Sequence, residues 1–340
     1  MVGVSKPSHH QICGVLRAKL CRLMLVHMLA IFLTLCIAFF QSSVKNAAPA
    51  AIFPAQAVSQ QTTAPSTKAV HPRLTTAEIV RLQSTAASGN AAAQYNLALA
   101  YQNGDGVPKD LKLAFDWCKK AAEQDNADAE TALGVMYRSG EGVDEDLQAA
   151  VQWYEKASRQ GNPNAMFDLG AAYYNGEGVP IDDSLSYAWF VLAKEAGSPQ
   201  AVQAVARAES DLSPLQITVG YRRLAEICTD DKYARVNRVE AAYWALKAAT
   251  LGDLPSQLQI AQMFLDGQGV AQDFGRARYW CSQAAKGGGG AGGAPGEYCL
   301  GYIYQHGLGV PANPKTARKW YKLAANAGLV SSIRALAPME

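Results

Sequence analysis

Residues 129–162 read AETALGVMYRSGEGVDEDLQAAVQWYEKASRQGN. Ala129, Leu133, Gly134 and Tyr137 recur at spacings of three, four and eight, which places them on one face of a helix. Gly134 carries no side chain, so a neighbouring helix can approach its backbone closely. Gly140 and Gly142 supply the positive φ that ends the helix and reverses the chain. Val143 packs under the turn, and Asp144 or Asp146 caps a second helix and complements its positive end. That helix buries Ala150, Trp153, Tyr154 and Ala157. Gly161 ends it, and Asn162-Pro163 break the path. The stretch therefore predicts two antiparallel helices joined by a glycine turn.

The same unit recurs along the chain. All six tryptophans fall at one position of it: Trp117, Trp153, Trp189, Trp244, Trp280 and Trp320. Five follow a G-x-G-V turn at a constant distance, from Gly104, Gly140, Gly176, Gly267 and Gly307, and the first three are 36 residues apart. A fixed period of this size means stacked two-helix units with a core shared between neighbours. A row of indoles could stack on sugars or peptides; beside Ala and Gly at a fixed repeat position, they are expected in the core instead. The unit around Trp244 is degenerate. It keeps Leu224, Ala225, Asn237, Ala241 and Gly252, but Asp231 stands where the glycine turn should be. Residues 199–213 read as an extra helix broken by Pro214, and Gly287–Gly293 (GGGGAGG) as a flexible insertion. Thr75-Thr76-Ala77-Glu78 is a capping-box signature that opens a helix ending near Gly89-Asn90. It serves as the N-terminal cap of the stack.

The motif A-x-x-x-L-G-x-x-Y-x-x-G-x-G-V, then Asp, then W-Y-x-K-A-A-x-x-G, resembles the Sel1-like repeat family over roughly residues 91–329. The resemblance implies an all-α fold, a right-handed α/α superhelix (solenoid) related to tetratricopeptide repeats. It also implies adaptor proteins that assemble complexes, often at bacterial envelopes. A cysteine-rich branch of the family is linked to β-lactam binding or hydrolysis. This chain lacks that branch's regular cysteine pair in each unit.

Ahead of the array lie two other segments. Lys6, Arg17, Lys19 and Arg22 flank Leu23–Phe40, LMLVHMLAIFLTLCIAFF, which carries no formal charge and is about long enough to span a bilayer. The basic flank stays in the cytoplasm, so the rest of the chain is expected to be exported. Residues 1–40 are either a signal peptide cleaved at Ala48-Pro49-Ala50 or Ala55-Gln56-Ala57, or an anchor held in the inner membrane by residues 23–40. Residues 41–72, rich in Ala, Pro, Gln, Ser and Thr, read as a disordered tether. The remaining organisation is a capping helix and three repeats over 73–198, a divergent region over 199–253, repeats with the glycine insertion 287–293 over 254–329, and a tail over 330–340.

Composition and chemistry favour binding over catalysis. With 31 basic and 29 acidic residues, net charge is +2, which gives no electrostatic case for nucleic acid. Of five histidines, His306 alone lies in the array, just before a turn glycine, where a polar helix end is the simplest reading. There is no Ser-His-Asp set, no H-E-x-x-H and no C-x-x-C, so neither a catalytic centre, a metal site nor a cofactor is expected. Asp144-Glu145-Asp146 and Asp182-Asp183 open second helices, where the helix dipole explains them. Glu141 and Glu177, in the variable slot of G-x-G, read as solvated turns. Cys118, Cys228, Cys281 and Cys299 are expected in the core. Cys281 and Cys299 lie in adjacent units, and export would permit a bridge between them. The expected function is a non-catalytic adaptor for a protein or peptide partner, with a cell-wall or β-lactam hydrolase as the alternative. By analogy with related arrays, the first helices line the concave face, and their non-consensus residues Gln102, Arg138, Tyr174, Gln262, Tyr302 and Gln305 would touch the partner.

Overall fold

Residues 74–231, 237–288 and 290–339 are described by the computed structural model. Fifteen α-helices stand among them, with no strand. After a leading helix α1 (Thr76–Ala87) come three antiparallel pairs: α2 (Ala91–Asn103) with α3 (Leu111–Ala122), α4 (Ala127–Ser139) with α5 (Leu147–Arg159), and α6 (Pro163–Asn175) with α7 (Asp183–Glu195). An inserted α8 (Pro199–Asp211) follows. Three more pairs are α9 (Pro214–Thr229) with α10 (Arg238–Thr250), α11 (Leu254–Asp266) with α12 (Phe274–Gly287), and α13 (Ala294–His306) with α14 (Pro314–Asn326). The short α15 (Val330–Leu336) closes the stack. The fold is an α/α superhelix.

The repeated polar residues mark the helix starts. Asn90, Asn126 and Asn162 cap the first helices, and Asp110, Asp146, Asp182, Asp273 and Asn313 the second ones; each side chain accepts from a backbone N–H one turn on. Each such cap stabilises its helix by about 1 kcal/mol. Asp146 rather than Asp144 caps α5, accepting from the Ala149 N–H at 2.9 Å. The first glycine of each turn ends its helix in the left-handed region, with φ between 67° and 77° at Gly104, Gly140, Gly176, Gly267 and Gly307.

The second glycine joins one unit to the next. A Cβ on Gly142 would strike the Leu111 carbonyl, on Gly178 the Leu147 carbonyl, and on Gly269 the Arg238 carbonyl. Each turn thus seats on the opening residue of the preceding second helix. Gly106 seats in the same way against Leu74 and Ile79, at the start of α1. That helix, opened by a capping box between Thr75 and Glu78, fills the place of a second helix for the first unit.

Packing within a unit depends on one matched pair. The ring of Tyr154 lies where a side chain on Gly134 would be, that of Phe190 covers Gly170, and that of Tyr321 covers Gly301. Where the first helix has Ala98 or Ala261 instead, the facing position holds Cys118 or Cys281, in the same core. The tryptophans flank this contact. Trp189, Trp244 and Trp280 are buried, whereas Trp117, Trp153 and Trp320 are half-buried against the core. Trp153 is therefore shallower than expected, and the deepest large side chain of its helix is Tyr154 at 1% exposure. Lys120, Lys156 and Lys247 cover the rings of Trp117, Trp153 and Trp244 at 4.2, 5.3 and 4.7 Å from their centroids.

Three expectations need correction. The glycine run is partly regular: α12 extends to Gly287 and Gly290–Gly293 form a 3-10 helix. A Cβ on Gly296 would meet the Ala285 N–H and the Cys281 carbonyl, so small residues are needed there for close approach. Residues expected as a tail form α15, which packs on α14 with Ser332 fully buried. Pro214 does more than break α8, because it starts α9 at a position where its missing N–H costs nothing. A disulfide joins Cys281 on α12 to Cys299 on α13, Cα atoms 5.8 Å apart, tying the fifth unit to the sixth. Cys118 and Cys228 are buried; the Cys118 thiol donates to the Ala129 carbonyl at 3.2 Å, and burial pushes it up to about 12. Among the described residues no helix is long and apolar enough to cross a membrane. The apolar segment 23–40 and the tether 41–72 lie outside them.

The matched pair predicts a coupling. Gly134→Ala should cost about 2 kcal/mol by overpacking, and Tyr154→Cys about 3 kcal/mol by opening a cavity. The double variant copies the first unit. In urea denaturation it should be at least about 1 kcal/mol more stable than the sum of the single losses. Simple additivity would refute the pairing.

Candidate functional site

Five of the first helices share a stripe at positions separated by four and three residues, partly exposed except at the buried Thr131 and Leu265. On α2 these are Tyr95, Leu99 and Gln102; on α4, Thr131, Val135 and Arg138; on α6, Phe167, Ala171 and Tyr174. On α11 they are Leu258, Gln262 and Leu265, and on α13, Tyr298, Tyr302 and Gln305. The structure places all six residues selected from the sequence on this stripe. It does not leave them equally available. Gln102 donates to the Glu141 carboxylate at 3.1 Å, Gln262 donates to Asp266 at 2.8 Å, and Gln305 accepts from the Tyr321 hydroxyl at 2.7 Å. Tyr302 lies against the exposed His306, ring centroids 4.4 Å apart. Tyr174 is 45% exposed, the most open of the aromatic positions.

Tyr174 borders an open cavity of about 410 Å³ between α6, α7 and α8. Phe167 and Phe190 line it, with ring centroids 5.4 Å apart, together with Ala204, Ala208 and Leu212. Gln200, Gln203, Arg207, Asp211 and Asp183 contribute its polar groups. The cavity exists because α8 begins as another first helix and fails to complete one. Its Pro199, Ala201, Val205 and Ala208 repeat Pro163, Ala165, Leu169 and Ala172 at the 36-residue step, yet no tyrosine and no glycine turn follow. The chain reverses near Ser213 instead. Helix α9 then packs on α7, with Gly220 against the ring of Tyr187. The pattern marks an interruption at 199–213 but gives no sign of the space that it leaves.

On the other side of α6 lies a polar cluster that sequence reasoning missed. In the last unit the buried Tyr321 hydroxyl donates to Gln305. The counterparts in the second unit are Tyr154 and Arg138, and arginine offers no acceptor. The Tyr154 hydroxyl is buried without a hydrogen-bond partner among the described residues. Asp168 on α6 and Glu177 in the following turn act on it electrostatically, raising its pKa in addition to the effect of burial. Glu177 accepts from the Asn175 amide at 3.0 Å through one oxygen, and its Oε2 has no partner among the described residues. Burial, with a contribution from Glu177, pushes the Asp168 carboxyl up to about 6, although Arg138 opposes the shift. The variable slot of the glycine turn is thus not the solvated turn expected. Glu141 and Glu177 are half-buried, each facing the end of the preceding first helix. A signal was available: the residue after the helix tyrosine is Gln102 or Arg138 in the units before these two glutamates.

The Asp168 environment sets a pH dependence. Its folded-state value, about 6, lies above its ordinary value of 3.8. The folded state therefore binds more protons between these limits, and stability falls as pH rises through that window and stays lower above it. Asp168→Asn should stabilise the chain by about 1 kcal/mol at pH 7, allowing for solvent screening at this partly open site. It should bring no gain at pH 4. Denaturation at the two pH values checks this, and an equal effect at both would refute it.

A family model described as Sel1 repeat matches residues 91–126, 127–162, 163–198, 219–253, 254–289 and 294–329. No curated protein matches the chain. Among solved structures, it is similar to c5321, a protective antigen of uropathogenic Escherichia coli strains displaying an SLR fold. That similarity is at 33% identity over 77% of this chain and 59% of that one, with TM-score 0.35. The chain thus spans about three fifths of that antigen's length. It is also similar to a Sel1 repeat protein from Oxalobacter formigenes, at 27% identity over 73% of this chain and 90% of that one, TM-score 0.35. A third is immunity protein Pa5087 from Pseudomonas aeruginosa, at 19% identity over 71% and 83%, TM-score 0.27. The six matched segments cover well over half of the sequence, and the chain belongs to the Sel1 repeat family, whose members generally mediate protein–protein interaction.

Proposed function

We propose that this chain is a non-catalytic adaptor of the cell envelope, which holds a peptide or protein segment along the inner face of its first helices. The observation that carries this reading is the stripe itself. Four of the five stripes present aromatic or amide side chains at these positions, on α2, α6, α11 and α13, and α4 adds Arg138. Such a surface suits an extended partner, with contact area from the rings and hydrogen bonds from the amides. The basic flank and apolar run at residues 6–40 support export, either as a cleaved signal or as an inner-membrane anchor with residues 41–72 as tether. The Cys281–Cys299 bridge suits an oxidising compartment such as the periplasm.

Photo-cross-linking in cells tests the binding face. A cross-linking residue at Tyr174 or Tyr302 of the full chain should capture the same partner. One at Tyr279, 55% exposed on the second helix α12, should not. Capture from Tyr279 alone would overturn the reading. Export is tested separately: external protease should digest the array in spheroplasts and spare it in intact cells. Protection in both would place the array in the cytoplasm and remove the envelope from the proposal.

A further inference from the structure

We infer that the cavity beneath the inserted helix α8 is a specificity pocket for a bulky apolar side chain of the partner segment, aromatic by preference, and that a basic residue close to it in that segment lodges beside Asp168 and Glu177. This inference rests on the adaptor reading and names the chemistry of its partner.

The cavity argues for an apolar guest. Its volume, about 410 Å³, falls in the range of pockets that enclose ligands, roughly 300–1,000 Å³. Phe167, Phe190 and Tyr174 offer ring faces and edges, which an aromatic guest meets in offset or edge-on contact. Of the polar groups around them, Arg207, Asp211, Asp183 and Ser186 are already engaged, while the Gln200 and Gln203 amides are exposed to solvent. Arg207 pairs with Asp211 at 3.5 Å, Asp183 accepts from Gln216 at 3.1 Å, and the Ser186 hydroxyl donates to the Gly170 carbonyl at 2.8 Å. A polar guest would lose its hydration there and gain little in exchange.

Across α6 the balance reverses. Phe167 faces the cavity, while the next residue, Asp168, is turned toward α4 and α5. Beside its carboxylate stand two buried acceptors that lack a donor among the described residues, Glu177 Oε2 and the oxygen of Tyr154, whose side chain is 1% exposed. One guanidinium, Arg138, shares the site and forms no ion pair within 4.0 Å among the described residues. Two carboxylates against one cation leave net negative charge, which an ammonium or guanidinium neutralises while donating to the open acceptors. The corresponding positions are closed elsewhere, through Gln102–Glu141 between the first two units and Tyr321–Gln305 in the last. Phe167 and Asp168 are consecutive, so the two subsites lie within a few residues of an extended peptide.

Three fluorescein-labelled octapeptides in a Gly-Ser background test this on the full chain by anisotropy. They carry Arg and Phe two residues apart, Arg and Ala, or Glu and Phe. The first should bind at least ten-fold more tightly than either of the others. Ala208→Trp, which fills the cavity, should abolish the preference for Phe over Ala. Ala204→Leu, a milder filling, should reduce it, and circular dichroism checks that both variants remain folded. Asp168→Asn should abolish the preference for Arg over Glu. In the parent chain that preference should weaken as pH falls below about 6. Equal binding of the three peptides, no binding at all, or an unchanged Phe preference in both filled variants would overturn the inference. Partner capture from Tyr302 would then still stand, and only the pocket would be lost. Loss of capture across the whole stripe would remove the adaptor reading itself.

Discussion

The stack depends on a backbone contact that only glycine permits. In three units the second glycine of the turn presses against the opening carbonyl of the preceding second helix, as Gly142 does on Leu111, Gly178 on Leu147 and Gly269 on Arg238, and in the last unit Gly309 presses on the opening residue Phe274. The contact leaves no room for a Cβ, and its positive φ would strain any other residue. It fixes where each unit sits on the one before. Once that step is constant, the caps, the tyrosine–glycine contacts and the outward stripe recur at constant positions. Gly106 makes the same contact with α1, which explains why an isolated helix of twelve residues suffices to close the N-terminal end.

Within a unit, volume is traded between two facing positions. A glycine on the first helix admits a full aromatic ring, as in Gly134–Tyr154 and Gly301–Tyr321. An alanine there is matched by cysteine. Tryptophan, the most conspicuous letter of the pattern, is less deeply placed than the residue beside it in most units. Half of the indoles keep an edge near the surface, two of them, Trp117 and Trp153, under a lysine from the next turn. Such rings act as broad wedges along the seam. The disulfide between Cys281 and Cys299 crosses the junction where the extra glycines depart from the period.

Where the period fails, the surface acquires its individuality. Helix α8 spends the register of a first helix without the turn that would complete it. The chain must restart at Pro214, and α8 is left overhanging Phe167 and Phe190 rather than filling the space above them. On the adjacent flank of α6, a single change at the position that Gln305 occupies in the last unit has a comparable effect. Arg138 cannot accept from Tyr154, and an arrangement closed elsewhere stays open. Both departures fall on neighbouring sides of one helix, so the irregular part of a regular molecule is also its most chemically distinct surface.

The repeat period, the helix pairs, the caps and the outward stripe were legible in the sequence, because each follows from spacing within about forty residues. Gly104 to Trp117 or Asp146 to Ala149 needs no knowledge of the rest of the chain. The depth of Trp153, the lock between Gln102 and Glu141, the packed turn at Gly293–Gly296, the cavity under α8 and the unpartnered Tyr154 hydroxyl were not legible. Each depends on which side chains of different units arrive at the same place, and on how much space remains between them. Periodicity determines which face a residue occupies; only the assembled stack decides what stands opposite it.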